Sequence, residues 1–149
     1  MILTLILIIA AAFAFMEFVA WSNHKYVMHG FLWPLHKDHH LTDIAGKPVL
    51  QKNDLFFLIY AIPAIVLIIW GFSAGNPYMI SAGAGITLYG ITYFIFHDVV
   101  YHHRLPFFRN PKNSYVKAII KAHDAHHRPK NRTDFNNFGL LVFSKRYFN

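Results

Sequence analysis

The chain has 149 residues, 55% hydrophobic and 17% aromatic, too apolar a composition for an ordinary water-soluble domain. It carries a formal net charge of +7 and no cysteine, which excludes disulfides, thiolate metal sites and a cysteine-held iron–sulfur cluster in this chain. It has neither a dinucleotide-binding glycine fingerprint nor a P-loop.

In chain order, the first apolar segment runs from about Ile2 to Ala20 and holds one charge, Glu17. The N-terminus lacks the basic residues that begin a secretory signal, so this segment is expected to be a retained anchor. The same helix is expected to continue through Trp21 to His29, beyond the bilayer, and to end at Gly30 and Pro34. His36 to His40 follow, then a polar connection, Leu41 to Asn53, with Gly46 and Pro48. Leu55 to Phe72 and Tyr78 to Phe96 are uncharged spans, forming a hairpin turned at Gly75 to Pro77. Pro63 is a candidate kink in the first of them. All three segments have roughly the 17–25 residues needed to cross the hydrocarbon core.

The third span is expected to reach His103, with Pro106 and Pro111 breaking it. A short helix is expected over Tyr115 to His127, with Val116, Ile119 and Ile120 on one side, suited to the membrane surface. The tail segment Phe135 to Phe143 either packs under the site or dips into the interface. The fold expected is a single all-α integral membrane domain over 1–149, with about three transmembrane helices and a fourth left open.

Every lysine and arginine lies in Lys25 to Lys52 or Arg104 to Arg146, and the turn from Gly71 to Pro77 has none. The positive-inside rule therefore puts both histidine windows, 24–40 and 97–127, in the cytoplasm. The basic excess reads as a solvated face on anionic lipid, with docking of an acidic electron carrier as the sharper alternative. Nucleic acid is not an expected partner, because the basic residues are interleaved with metal-ligand motifs at a membrane surface.

All eleven histidines fall in those two windows, in one repeated pattern. HKYVMHG and HKDHH make the first window; HDVVYHH and HDAHH make the second. On a helix, H-x-x-H-H lets His36, His39 and His40 converge, and likewise His123, His126 and His127. The H-x-x-x-x-H pairs, His24 with His29 and His97 with His102, diverge by roughly 140° on an ideal α-helix. Two metals side by side make sense of this, the two members of each pair reaching different ions. The ten ligands suit a binuclear centre, and His103 falls outside the repeat as a surface residue or a partner to a ligand. A structural zinc site closes at four ligands. All-nitrogen ligation is compatible with iron, zinc and copper, and two irons with open positions could bind O2 and oxidise a lipid C–H bond. A non-enzymatic metal-binding or transport protein would want polar ligands within the spans, which hold only Glu17.

HKYVMHG, HKDHH, HDVVYHHR and HDAHH, in this order on so short a chain, resemble the bacterial β-carotene hydroxylases. These are carotenoid 3-hydroxylases of the fatty acid hydroxylase superfamily of membrane di-iron proteins. The resemblance runs from about Met16 to Gly139, and departs at His103, where that family more often has glutamine or lysine. The eight-histidine core is shared with fatty acid desaturases, sterol oxidases and carotenoid ketolases. The resemblance implies that His24, His29, His36, His39, His40, His97, His102, His123, His126 and His127 hold two irons. It implies O2-dependent hydroxylation at C3 of β-ionone rings, taking β-carotene through cryptoxanthin to zeaxanthin. Electrons would come from ferredoxin and its reductase, with the enzyme in the bacterial inner membrane. A fatty acid or sterol hydroxylase or desaturase of the same metal class is the alternative.

Other residues carry open readings. Glu17, two helical turns before His24, either hydrogen-bonds a histidine, sits protonated near a cavity, or snorkels to water. Asp38, Asp98 and Asp124 each adjoin a histidine, and carboxylates often accept the far ring N–H of a metal ligand. Adjacent residues do not share a helix face, so each aspartate is expected to serve a neighbouring segment. Gly83, Gly90 and His97 fall at seven-residue steps, a smooth stripe for close helix packing or for a polyene lying against the helix.

Overall fold

A computed structural model describes residues 1–40, 50–108, 110–131 and 134–149. Among the described residues every regular element is helical. Helix α1 (Ile2–Ser22) runs directly into a π-helical segment, Asn23–Phe31. A single turn, α2 (Trp33–His36), follows. Most of the expected polar connection, 41–49, lies outside the described residues. A 3-10 turn over Lys52–Asp54 leads into α3 (Leu55–Ser73), and α4 (Pro77–Tyr93) returns and continues as a second π segment, Phe94–Tyr101. Helix α5 (Ser114–His127) and a 3-10 turn at Lys145–Phe148 complete the described elements.

Three helical stretches, Ile2–Phe31, Lys52–Ser73 and Pro77–Tyr101, are long and apolar enough to cross a membrane. The first has 30 residues. At the α-helical rise it would be about 45 Å long, against a hydrocarbon core of about 30 Å. Its surplus end carries His24 and His29. No more than 22% of the most apolar window of any of these stretches is buried within the protein. Ile6, Leu7, Ile62, Ile69 and Trp70 point outward. A helix apolar on every side, with its backbone bonds made internally, is suited to lipid as solvent.

Helix α4 packs along both α1 and α3. Its glycines allow the approach. A Cβ at Gly85 would lie 2.5 Å from the Ile9 carbonyl oxygen of α1, and one at Gly83 would lie 2.9 Å from the Ala64 carbonyl of α3. The hairpin turns at Gly75, with φ +60°. Asn76 then caps α4, its side chain accepting from the N–H groups of Tyr78 and Met79, with Pro77 in the first turn. Asn113 caps α5 in the same way.

The structure revises several expectations. The protruding ends of the first and third spans are π-helical, with Leu32 N–H donating to Val27 and His102 N–H to His97, five residues back. Gly30 does break the first of these, at φ −96° and ψ −125°, but Pro34 lies in the first turn of α2 and begins a helix. The third helix stops at Tyr101, ahead of both prolines, and His103 takes φ +53°. Helix α5 turns Ala118, Ile119 and Ala122 into the protein, while Val116 and Ile120 of the expected apolar side are half-buried. The tail packs beneath the histidines, with Leu140 buried.

Candidate metal centre

Nine histidines gather in two adjoining groups. His24, His29, His36, His40 and His126 form one; His39, His102, His123 and His127 form the other. Within each group the ring nitrogens that could ligate lie within 4.8 Å of one another. The groups touch where the rings of His40 and His127 stack at 4.3 Å.

The partition differs from the expected one. His24 and His29 were expected to serve different ions, yet they share a group, because the π segment brings residues five apart onto one side. The triplets, expected to converge, divide instead. His36 and His40 join the five-histidine group while His39 joins the other; His123 and His127 join the four-histidine group while His126 joins the other. In α5 the cause is helical phase. Residues i and i+4 differ by about 40°, whereas i+3 lies about 100° from i+4.

His97 stands beside the second group and outside the 4.8 Å set, its ring 4.6 Å from His39 and 4.8 Å from His123. His103 is exposed and joins neither group.

Hydrogen bonds on the far ring nitrogens test whether this set suits a metal. His24 Nδ1 donates to the Phe138 carbonyl at 2.9 Å, and His126 Nδ1 to the Asn136 carbonyl at 2.8 Å. His36 Nδ1 donates to Asn53 Oδ1 at 2.6 Å. Carbonyl oxygens only accept, so these three rings carry their proton on Nδ1 and present a bare lone pair at Nε2. Yet His24 Nε2 and His36 Nε2 face each other at 3.2 Å. Two opposed lone pairs repel unless a cation lies between them. The spacing agrees as well. Nitrogens about 2.0–2.1 Å from one ion, at right angles, are about 3 Å apart. His29–His126, His40–His36, His102–His39 and His127–His123 all meet through Nε2 at 3.0 Å. The residues present fit a pair of metal ions.

Burial favours the neutral imidazoles that ligation requires. It lowers the pKa of His36 to about 4, partly opposed by the Asn53 hydrogen bond, and that of His126 to about 4, partly opposed by the Asn136 carbonyl. Burial, then neighbouring imidazoles, hold His39, His40, His123 and His127 well below the ordinary histidine range.

The remaining candidates resolve individually. Glu17 is buried, and its hydrogen bonds go to neither a histidine nor solvent: Oε1 accepts the N–H groups of Leu140, Leu141 and Val142 at 2.8–2.9 Å, and Oε2 accepts the Tyr89 hydroxyl at 2.7 Å. Asp98 does serve its own neighbour, accepting from His97 Nδ1 at 3.1 Å, because the π segment departs from α-helical phase. Asp38 and Asp124 serve other segments, accepting from Lys52 N–H and from the Tyr101 hydroxyl. The glycine stripe divides: Gly83 packs against α3, whereas Gly90 has no atom within 4 Å of a Cβ and lines a cavity.

That cavity, about 650 Å³ and mostly apolar, lies between α3 and α4. Phe56, Tyr60, Ile86 and Phe94 line it, and so do His24 and His97. Arg104 also lines it, donating to both oxygens of Asp54 and to Asp98 at 2.8 Å, and so ties the start of α3 to the π segment that continues α4. Asn53, Tyr89 and Gly139 also gain roles that sequence reading missed. Only Arg104 left a signal, as the arginine closing HDVVYHHR.

The family model for fatty acid hydroxylase matches residues 9–149. The chain belongs to the fatty acid hydroxylase family. A beta-carotene hydroxylase of Pseudescherichia vulneris is 37% identical over 139 residues, covering 93% of this chain and 77% of the relative. One from a Paracoccus species is 36% identical, covering 93% and 84%. A chloroplastic beta-carotene hydroxylase 2 of Capsicum annuum is 35% identical, over 87% of this chain and 42% of the longer plant protein. No solved structure matches the chain. Membership of this family makes the chain an enzyme, a helical membrane hydroxylase with a histidine cluster able to bind metal.

Proposed function

We propose that this chain hydroxylates the β-ionone rings of carotenoids at C3, consuming O2 at a di-iron centre. The observation that carries the reading is the apolar cavity lined by His24 and His97. It gives a hydrocarbon space beside the histidine groups, and its walls carry few polar atoms to bind a headgroup. The similarity to bacterial and plant beta-carotene hydroxylases supports the substrate.

The nine grouped histidines, with His97 as the tenth, would hold the irons. Bound iron supplies O2 activation and oxidation of an unactivated C–H bond. Overall, one C–H bond and O2, with two electrons and two protons, yield C–OH and water. The electrons come from an external donor, for which we propose ferredoxin and its reductase. The chain's own residues do the rest. Phe56, Phe94 and Tyr93 confine the ring and exclude water. The Phe138 and Asn136 carbonyls and Asn53 keep three ligand rings in one tautomer. The uneven placing of lysine and arginine supports the inner membrane, with the histidines on its cytoplasmic face.

The test is expression in a β-carotene-producing bacterium, with products read by chromatography and mass. One added hydroxyl per ring, lost in His39→Ala, is the expected result. Unchanged β-carotene from iron-loaded, reductant-supplied protein would refute the reading and point to fatty acids or sterols.

A further inference from the structure

Glu17 lies two helical turns before His24, but its hydrogen bonds run to the C-terminal segment and to α4. A carboxyl within a membrane span is costly to bury, and here four donors surround it. Three successive backbone N–H groups, from residues 140–142, converge on one oxygen, the concave arrangement that binds anions. Gly139 makes the wrap possible: a Cβ there would lie 3.0 Å from Glu17 Oε1 and 2.7 Å from the Val142 carbonyl.

Immediately upstream, the same strand of chain turns to the histidines. The Phe138 carbonyl accepts from His24 and the Asn136 carbonyl accepts from His126. The rings of Phe135 and Phe138 pack on His29 and His24 at 4.3 and 5.6 Å. Every one of these histidines belongs to the five-histidine group. Asn137, with φ +58°, sits between the two carbonyls and lets both face inward.

We propose that Glu17 is a positioning residue for the five-histidine group. Its carboxyl fixes residues 139–142, and these hold the two carbonyls that set the tautomer and pitch of His24 and His126. The inference rests on reading the histidines as metal ligands. It predicts a fault confined to one of two metal sites, produced by a side chain that touches no metal.

The test uses the purified full chain, stripped of metal and titrated with Co(II) against a competing chelator, with the visible absorption of bound cobalt as readout. Wild type is expected to take two equivalents. Glu17→Ala should weaken one equivalent by about 10- to 100-fold and shift its absorption, leaving the other unchanged. Glu17→Gln, whose amide oxygen still accepts N–H groups, should recover part of the loss. Wild-type affinity and spectrum in Glu17→Ala would overturn the inference. So would equal weakening of both equivalents together with a lower melting temperature, which marks a purely structural role. If Glu17→Ala does not fold, Tyr89→Phe and Gly139→Ala decide by the same rule, since one removes the bond to Oε2 and the other crowds Oε1. Failure of wild type to bind cobalt is a separate result, and overturns the metal reading itself.

Discussion

Gly83 and Gly90 lie two helical turns apart on α4 and should respond oppositely to the same added methyl. At Gly83 a Cβ would lie 2.7 Å from Ile68 Cγ1 and 2.9 Å from the Ala64 carbonyl, so Gly83→Ala forces α3 and α4 apart. Such overpacking costs about 1–3 kcal/mol. For a chain of this size that lowers the melting temperature by roughly 2–12 °C. At Gly90 the methyl meets nothing within 4 Å. Gly90→Ala should therefore stabilise the helix by about 0.5–1 kcal/mol through lost backbone freedom in the unfolded chain. Gly90→Leu places a branched side chain in the cavity that His97 also lines. Competing with the hydrocarbon for that space should weaken substrate binding by roughly 5- to 150-fold, the equivalent of about 1–3 kcal/mol. Melting in detergent and carotenoid turnover per folded molecule read the two effects separately. A Gly90→Leu enzyme with undiminished turnover, or a Gly83→Ala protein melting at the wild-type temperature, would refute the assignment of the cavity and of the packing seam.

Acid should unload the centre. The pKa values of His36 and His126, about 4 in the folded protein, lie below the ordinary 6.5, so the folded state takes up fewer protons than the unfolded chain. Their contribution is complete above pH 6.5 and is lost as pH falls towards 4; a melting temperature and metal content that stay flat from pH 7 to pH 5 would contradict this. The histidine groups lie at one end of the membrane helices, so the two rings of a carotene should react in separate visits. A time course should therefore show mono-hydroxylated product first, and dihydroxylated product appearing with no such precursor would count against the single-ended geometry.

Much of this architecture was legible because it follows from simple periodicities. Three uncharged or nearly uncharged apolar runs mark the membrane helices, and a twice-repeated histidine spacing marks the site. What failed to be legible was phase. The H-x-x-x-x-H pairs were judged on α-helical geometry, and five residues on an α-helix point His24 and His29 apart; the π segment cancels that divergence. Asp98 misled for the same reason. Backbone partners were also invisible, because no side-chain pattern advertises the carbonyls of Asn136 and Phe138 or the N–H groups that meet Glu17. Glu17 was conspicuous as a charge in a span, but three of its four partners are more than 120 residues away in the chain and the fourth, Tyr89, is 72 away.

The divided triplets have a mechanical consequence. His39 and His40 are consecutive, as are His126 and His127, and each of these neighbours reaches a different ion's group. Each dipeptide is thus a rivet that joins the two histidine groups through a single peptide unit. Each group therefore contains two histidines whose chain neighbour belongs to the other group. The two groups are therefore kept side by side by the backbone at His39–His40 and His126–His127, which lies outside all three membrane-spanning stretches.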